Sequence, residues 1–311
     1  MVMYQKTKSA LSSILPNKID KYNFINKISK VSDSNFYELG IYKDDLGKQA
    51  IVKLFRGSYG IHRQWLKNEA TVYRILHELY AKKGDEIKKV FPHIRIPNLL
   101  KVETKKEYYI VMIELVDGAN TLAALDGQKM AELSEEVAKY FQFISTLLSD
   151  VQKQLLVERN AGFILLMTIF LSTIAVLRHP SAFFSIVKAV YFIFFNGGLL
   201  YGEQSFVHRD IHPANILYDG RMVYPIDFQT SVLAHPMFEI SHLAITAWKF
   251  PDYFWALQES KTFKKIFMNK KILNAYKALS LYCGIHRLAI RSEIGTTISF
   301  MSHIDGLRVD N

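Results

Sequence analysis

Apolar and polar residues alternate along the first third of the chain in the way that predicts β-strands. The predicted strands cover residues 23–29, 36–42 and 49–55, with polar turns between them. Apolar residues then recur at helical spacing over 62–80, which predicts a helix, and the Lys- and Glu-rich residues 81–89 predict a solvated loop. Two further β-rich runs follow at 93–104 and 107–116. The pattern therefore predicts a small strand-rich region with one helix.

A helical pattern fills most of the second part of the chain, after the break at Asp117-Gly118. Residues 205–229, SFVHRDIHPANILYDGRMVYPIDFQ, interrupt this pattern with short apolar runs between polar groups. They predict a strand, a polar loop, a second strand, a turn and a third strand that ends at an acid. Because the ends of neighbouring strands lie close in space, we expect Asp210, Asn215 and Asp227 to converge on one point.

Composition narrows the class of protein. Half of the 311 residues are apolar and 13% are aromatic, which is enough for a full core and argues against disorder. The net charge of +10 suits phosphorylated ligands or anionic lipid, but without a basic patch interleaved with aromatic residues we expect no nucleic-acid partner. Cys283 is the single cysteine, and the N-terminal residues contain no apolar run of signal-peptide length. Both features favour a cytoplasmic protein.

An apolar stretch at 161–201 is unusual for a plain soluble protein. Residues 161–177 carry no charge, and Lys188 is the one charged residue of 181–201. A wholly buried helix pair, a two-span membrane anchor and an exposed helical hairpin all fit this length. Since a lysine is costly at a bilayer centre, we expect a hairpin that turns at His179-Pro180. Its exposed apolar surface would make peripheral contact with the cytoplasmic face of a membrane or with a lipid-linked substrate.

The polar groups of residues 205–229 suit phosphoryl transfer. A carboxylate can orient a substrate hydroxyl and accept its proton, and Asn and Asp supply the oxygen ligands that a divalent cation prefers. Transfer from ATP also requires a cation on the donor phosphates. Lys53, in the apolar run Ala50-Ile51-Val52-Lys53, fits that requirement, and Glu69 on the predicted helix can pair with it.

Four motifs in this order, AIVK, a helical Glu, HRDIHPAN and IDFQ, resemble the protein-kinase-like superfamily. His212-Pro213 stands where protein kinases usually have Lys-Pro and resembles the aminoglycoside phosphotransferase and choline kinase branch. The resemblance implies an α+β, two-lobed protein-kinase-like fold with ATP between the lobes. It implies an N-terminal extension (1–22), a small antiparallel-sheet N-lobe (23–117) and a mainly helical C-lobe (118–311) that includes the apolar segment 161–201.

The resemblance also implies the roles of the catalytic residues. Asp210 would be the catalytic base or the group that orients the hydroxyl. Asn215 and Asp227 would hold Mg²⁺. Glu239 sits near the position of a structural Asp in the phosphotransferase branch and would support the loop.

The nucleotide-binding roles follow in the same way. Lys53 would contact the α- and β-phosphates of ATP, with Glu69 fixing it, and the segment Glu114 to Val116 would offer backbone groups to adenine. The phosphate-covering loop lacks the usual glycines, so the Ser32 and Ser34 hydroxyls would donate to the phosphates instead.

The expected function is ATP- and Mg²⁺-dependent phosphorylation of a hydroxyl on a sugar, an amino alcohol or a lipid-linked head group. The alternatives are a membrane-associated nucleotide-binding pseudokinase or regulator and, disfavoured by His212 and the missing A-P-E segment, a protein Ser/Thr kinase. Gln229 replaces the Gly of D-F-G and argues against an in/out switch of that segment. Arg287 and Arg291, one helical turn apart, are interpreted as a solvated helix face, with the binding of a substrate anion as the alternative.

Overall fold

The computed structural model describes residues 15–28, 37–57, 60–202, 204–291 and 293–309. The strands are β1 (Lys18–Ile19), β2 (Tyr22–Lys27), β3 (Glu38–Lys43), β4 (Gln49–Arg56), β5 (Leu99–Thr104), β6 (Tyr108–Glu114), β7 (Asn120–Thr121), β8 (Glu158–Arg159), β9 (Ser205–Val207), β10 (Ile216–Tyr218), β11 (Val223–Pro225) and β12 (Val232–Ala234). The helices are α1 (Ile61–Val90), α2 (Gly127–Leu147), α3 (Asp150–Gln154), α4 (Ala161–Arg178), α5 (Phe183–Phe195), α6 (Met237–Ala247), α7 (Pro251–Gln258), α8 (Lys261–Phe267), α9 (Lys270–Ile290) and α10 (Ile294–Gly306). The predicted order of a strand-rich region followed by a mainly helical one is confirmed.

The first compact unit comprises the residues up to Leu66 together with Asn98–Asp117. It contains an antiparallel sheet in the order β1-β2-β3-β4-β6-β5. Every second side chain of β4 packs into a core whose buried members are Leu15, Ile19, Tyr22, Tyr42, Ala50, Val52, Leu54, Ile110 and Met112. Lys53 lies between two of these buried positions, so the alternation of the strand directs its side chain to the opposite face.

Helix α1 is longer than the sequence pattern predicts. The helix continues to Val90 through the residues predicted to be a solvated loop, with one non-helical residue at Lys83 (φ −130°, ψ 19°). Lys and Glu are good helix formers, and Ile87 is fully buried, so this end of α1 packs on the protein although most of its residues are exposed. The loop prediction for residues 81–89 is wrong for this reason.

The second compact unit comprises Lys67–Pro97 and Gly118–Asn311. Helix α9 runs through its core and packs against α4, α5, α6, α8 and α10. Gly284 lets α10 cross close to α9: a Cβ at this position would lie 2.6 Å from Cγ of Met301, so that side chain would have to shift. The near-complete burial of α9 explains why its sequence is apolar on several sides.

Two small sheets, β11-β10-β7 and β8-β12-β9, carry the predicted strand–loop–strand segment. The turn predicted at Asp219-Gly220 is present: Gly220 has φ +95°, and Oδ1 of Asp219 accepts the backbone N–H groups of Arg221 (2.8 Å) and Met222 (2.7 Å). Strands β1, β7, β8 and β12 were not predicted. β1, β7 and β8 have two residues each, which leaves no alternation to detect, and β12 has three.

Helices α4 and α5 form the predicted hairpin, joined at His179 and a 3-10 turn over Pro180–Ala182. One side of the hairpin packs on α9, whereas the other exposes large apolar side chains, among them Leu177 (77%), Phe184 (84%) and Phe195 (79%). Within the described residues, α4 is the one helix long and apolar enough to cross a membrane, and 28% of it is buried. The interpretation as a wholly buried pair is therefore wrong.

Candidate active site

The loop that follows β9 is held by a buried carboxylate. Glu239 on α6 accepts the backbone N–H of His208 at 2.5 Å and that of Arg209 at 3.2 Å. Burial raises the pKa of Glu239 to about 8, and the nearby Asp210 adds to this rise, although the two N–H donors act in the opposite direction. Glu239 thus supports the loop, as its place in the sequence suggested.

His208 fixes the loop from its other side. Its Nε2 donates to the carbonyl of Ile226 at 2.9 Å, and its Nδ1 accepts the backbone N–H of Asp210 at 3.3 Å. Since a carbonyl can only accept, these partners select the neutral tautomer with the proton on Nε2. The ring packs between Phe141 and Phe228 at centroid distances of 5.4 and 4.9 Å.

The backbone is strained on both sides of the candidate site. Arg209 and Asp227 each have φ +67°, a left-handed backbone conformation that residues other than glycine rarely adopt. The hydrogen bonds of Glu239 and His208 hold the first of these two positions. Such strain is typical of residues whose direction matters for function.

Asn215 and Asp210 are brought together as the sequence predicted. Nδ2 of Asn215 donates to the carbonyl of Asp210 at 3.1 Å and to its Oδ2 at 3.0 Å. Both partners are acceptors, so Nδ2 must face them and Oδ1 remains for another ligand. His212 caps the 3-10 turn over Pro213–Asn215 by accepting the N–H of Ala214 at 3.2 Å, which gives the His-Pro pair a structural reason.

The surroundings of Asp210 shift the pKa of its carboxyl group in opposite directions. Burial raises its pKa, the neighbouring Asp227 adds to the rise, and His212, whose Nε2 lies 3.8 Å from Oδ1, lowers it. The side chain is still 40% exposed, so solvent screens all of these effects. Asp210 is therefore open to a substrate and close to a second carboxylate.

The segment around Asp227 is anchored by a residue that the sequence analysis missed. Nδ2 of Asn68, on α1, donates to the carbonyls of Phe228 (3.4 Å), Gln229 (3.0 Å) and Ser231 (2.9 Å). Phe228 is fully buried and packs edge-on against Tyr73 at 4.9 Å. The position of Asn68 directly before Glu69 was the available signal, but nothing in its spacing marked it.

Glu69 is fully buried on the same helix. Burial raises the pKa of the Tyr73 hydroxyl well above its ordinary value, and the charges of Glu69 and Asp227 add to the effect. Both carboxylates therefore lie near this ring.

The donor set fits a hard divalent cation. Asn215 and Asp227 offer an amide oxygen and a carboxylate, and Mg²⁺ commonly takes only one or two protein ligands and completes its shell with water and substrate phosphates. No group of three or more His, Cys, Asp or Glu side chains within the described ranges forms a metal cage. The predicted pair thus suits a cation that arrives with a nucleotide.

Lys53 and the segment Glu114 to Val116 belong to the sheet-containing unit. Lys53 lies on β4, where its backbone pairs with Leu39 on β3 and with Val111 on β6. The backbone N–H groups of Glu114 and Leu115 donate to the carbonyls of Asn98 (2.8 Å) and Gln49 (3.1 Å), so both are already hydrogen-bonded within the unit. The predicted phosphate contacts Ser32 and Ser34 lie outside the described residues.

Residues 196–264, which include the strained loop and Asp227, match the model of the family described as "Phosphotransferase enzyme family". No curated protein sequence matches the chain significantly. Among solved structures, a thermostable mutant of aminoglycoside phosphotransferase APH(4)-Ia in complex with ADP and hygromycin B is 12% identical, with coverage of 92% and 94% of the two chains and a TM-score of 0.57.

Two further solved structures are similar. Choline kinase LicA from Streptococcus pneumoniae is 17% identical, with coverage of 91% and 92% and a TM-score of 0.54. Amicoumacin kinase hAmiN, in complex with AMP-PNP, Ca²⁺ and Ami, is 12% identical, with coverage of 92% and 87% and a TM-score of 0.55. These likenesses confirm the two-lobed kinase-like fold. Over residues 196–264 the chain is similar to the phosphotransferase enzyme family, and its fold is similar to the folds of an aminoglycoside phosphotransferase and a choline kinase.

Proposed function

We propose that the chain uses ATP and Mg²⁺ to phosphorylate a hydroxyl of a small molecule. The observation that carries this proposal is the double hydrogen bond from Nδ2 of Asn215 to Asp210. It orients one carboxylate toward solvent while it leaves the amide oxygen available as a hard ligand. A loop built only for stability would not need an exposed, oriented carboxylate next to a strained backbone.

In the proposed reaction, Asp210 accepts the proton of the acceptor hydroxyl. A bond forms between the hydroxyl oxygen and the γ-phosphorus, and the bond from that phosphorus to the bridging oxygen of ATP breaks, which gives ADP and a phosphate ester. When bound, Mg²⁺ neutralises charge on the phosphates. Asn215 and Asp227 are the residues proposed to hold it, and Lys53 is the cation proposed for the α- and β-phosphates.

We also propose that the hairpin α4–α5 contacts the cytoplasmic face of a membrane. Its outer side exposes Phe184 and Phe195, and the net charge of +10 favours an anionic surface. An apolar groove of about 330 Å³ between the two helices, lined by residues that include Val176, Leu177 and Val187, has the character of an acyl-chain site. These features support a lipid-linked acceptor over a fully soluble one.

A metabolite screen tests the reaction. Extracts are incubated with the chain, Mg²⁺ and ATP, and mass spectrometry searches for compounds that gain the mass of a phosphate. Asp210→Asn serves as the matched control, because it retains the size of the side chain and one oxygen that can accept from Asn215 but removes the negative charge. A chain that binds Mg²⁺-ATP but yields no phosphorylated product from soluble or lipid extracts would favour the pseudokinase alternative.

A further inference from the structure

Four arginines of the helical unit gather beside the catalytic loop. Arg159 ends β8 and pairs with Ala234 on β12, which in turn pairs with Ser205 on β9. Arg209 is the second residue after the end of β9. Arg287 and Arg291 lie at the end of α9, and Nη1 of Arg287 donates to the carbonyl of Ile245 on α6 at 3.0 Å.

Aromatic side chains lie beside two of these arginines, Arg209 and Arg159. The guanidinium of Arg209 lies 5.5 Å from the ring centre of Phe238 on α6. Phe238 packs on Tyr282 of α9 at 5.8 Å, and Tyr282 packs on His286 at 6.4 Å. Arg159 is held in a similar way, 4.0 Å from the ring centre of Phe163. The rings position the guanidinium groups but do not neutralise them.

The guanidinium groups of the cluster form no close ion pairs within the described part of the chain. Among the residues that the structure describes, none of the four guanidinium groups has a carboxylate within 4.0 Å. The buried Nε atoms of Arg159 and Arg209 have no hydrogen-bond acceptor. Glu293, which acts on Arg287, is already paired with Lys249 at 2.5 Å. Arg159, Arg209 and Arg287 are half-buried and Arg291 is exposed, so this positive charge is partly desolvated and suits an anionic ligand.

The positive charge of the arginines also shifts the pKa values of ionisable groups near them. Burial lowers the pKa of His286 to about 3 and that of His242 well below its ordinary value, and in both cases the arginines add to the effect. Burial, followed by the charge of Arg209, also lowers the pKa of Arg159. The charge of Arg291 acts on Asp210 as well, so the cluster reaches the candidate catalytic carboxylate. The interpretation of Arg287 as part of a solvated helix face is wrong, since it is partly buried against α6.

We propose that Arg159, Arg209, Arg287 and Arg291 form an oxyanion subsite for the acceptor, so that the acceptor is a hydroxyl compound that carries a phosphate group. Arginine is the residue best suited to bind a phosphate through several N–H donors. A cationic acceptor such as an amino alcohol is repelled by the same charges. This inference rests on the proposed kinase function and narrows its substrate class.

Binding of inorganic phosphate tests the subsite apart from turnover. Calorimetry is performed with Mg²⁺ and AMP-PNP at saturation, so that phosphate cannot enter the nucleotide site. We expect Arg291→Gln and Arg159→Met to weaken phosphate binding roughly ten- to a hundred-fold, the loss expected for a charged hydrogen bond. The matched control is Arg221→Gln, an exposed arginine in the β10–β11 turn, which should leave the phosphate affinity unchanged.

Thermal unfolding separates a binding role from a structural one. Because Arg159 is half-buried and its buried Nε atom has no hydrogen-bond acceptor, Arg159→Met should raise the melting temperature of the free chain while it weakens phosphate binding. If Arg159→Met unfolds at a lower temperature than the parent chain, Arg159 supports the fold. Phosphate binding by the Arg291→Gln variant, whose replaced side chain is exposed, then decides by itself whether the subsite exists. If AMP-PNP binds but phosphate does not, the subsite is refuted and the kinase proposal stands. If AMP-PNP itself does not bind, the kinase proposal fails first.

The source of the phosphate is resolved with two acceptor pairs. Glycerol 3-phosphate is compared with glycerol, and phosphatidylcholine vesicles that contain phosphatidylglycerol are compared with phosphatidylcholine vesicles that contain diacylglycerol, as phosphoryl acceptors from radiolabelled ATP. Preferential labelling of either phosphate-and-hydroxyl compound supports the subsite and identifies its source as soluble or lipid-bound. Equal labelling of glycerol and glycerol 3-phosphate, with no effect of Arg291→Gln, would overturn it.

Discussion

Replacement of Glu239 by Gln should change how the stability of the protein depends on pH. Glu239 is 2% exposed, and burial raises its pKa from 4.5 to about 8 in the folded chain. Above pH 4.5 the unfolded chain releases this proton, whereas the folded chain retains it up to about pH 8. The folded state therefore binds more protons, and its stability falls as the pH rises through this window.

The magnitude follows from the same values. At 1.36 kcal/mol for each pH unit, the free energy of unfolding loses up to about 5 kcal/mol between pH 4.5 and pH 8 through this one group. Gln resembles the protonated carboxyl, because it accepts one N–H and cannot ionise. Glu239→Gln should therefore match the parent chain near pH 4.5 and exceed it in stability near pH 8.

Urea unfolding of both proteins, followed by circular dichroism across this pH range, measures the difference. Glu78→Gln, at an exposed position of α1, is the control and should follow the parent chain at every pH. If the unfolding free energies of the parent and Glu239→Gln run parallel from pH 4.5 to pH 8, Glu239 is ionised in the folded state. The argument from burial would then be refuted.

The remaining predictions concern catalysis and the membrane. Asp210→Asn should lower kcat ~10²–10⁴-fold with little change in nucleotide affinity, as expected for the loss of a positioned base; an unchanged rate contradicts this role. Asp227→Ala should sharply weaken Mg²⁺-dependent ATP binding, and Lys53→Met should weaken ATP binding but not adenosine binding, both by calorimetry; unchanged affinities in both variants would point away from these residues. Phe184→Ser together with Phe195→Ser should reduce sedimentation with anionic vesicles, and salt should release the parent chain; resistance to salt and carbonate would indicate a two-span anchor instead.

The sequence predicts those contacts of the candidate site that join polar residues within one short segment. Asp210 and Asn215 are five residues apart on one loop between two strands, so their contact depends on local geometry that the strand pattern already determines. Asp227 follows the next strand of the same small sheet, and its approach to Asp210 needs only a hairpin. The hairpin α4–α5 was predictable for a similar reason, because a proline between two apolar runs leaves few other conformations.

Contacts between distant elements could not be read in the same way. Asn68 meets the backbone of Phe228 from 160 residues away, and no periodicity in α1 distinguishes it from any other polar residue of a helix. The continuation of α1 to Val90 depended on a surface for Ile87 to bury, which the Lys- and Glu-rich composition concealed.

The arginine cluster is the clearest example of a feature that depends on contacts between distant elements. By itself, the sequence determined the order of the elements, the strand–loop–strand segment and the place of Asp210, Asn215 and Asp227 in it, because these depend on the period of apolar residues and on neighbouring positions. Only the tertiary structure decided that Arg159 and Arg287, far apart in the chain, share one positive field with Arg209. Charge acts through space rather than along the sequence, so the net charge of +10 was readable from composition, but its concentration beside Asp210 required the packing of β8, α6 and α9.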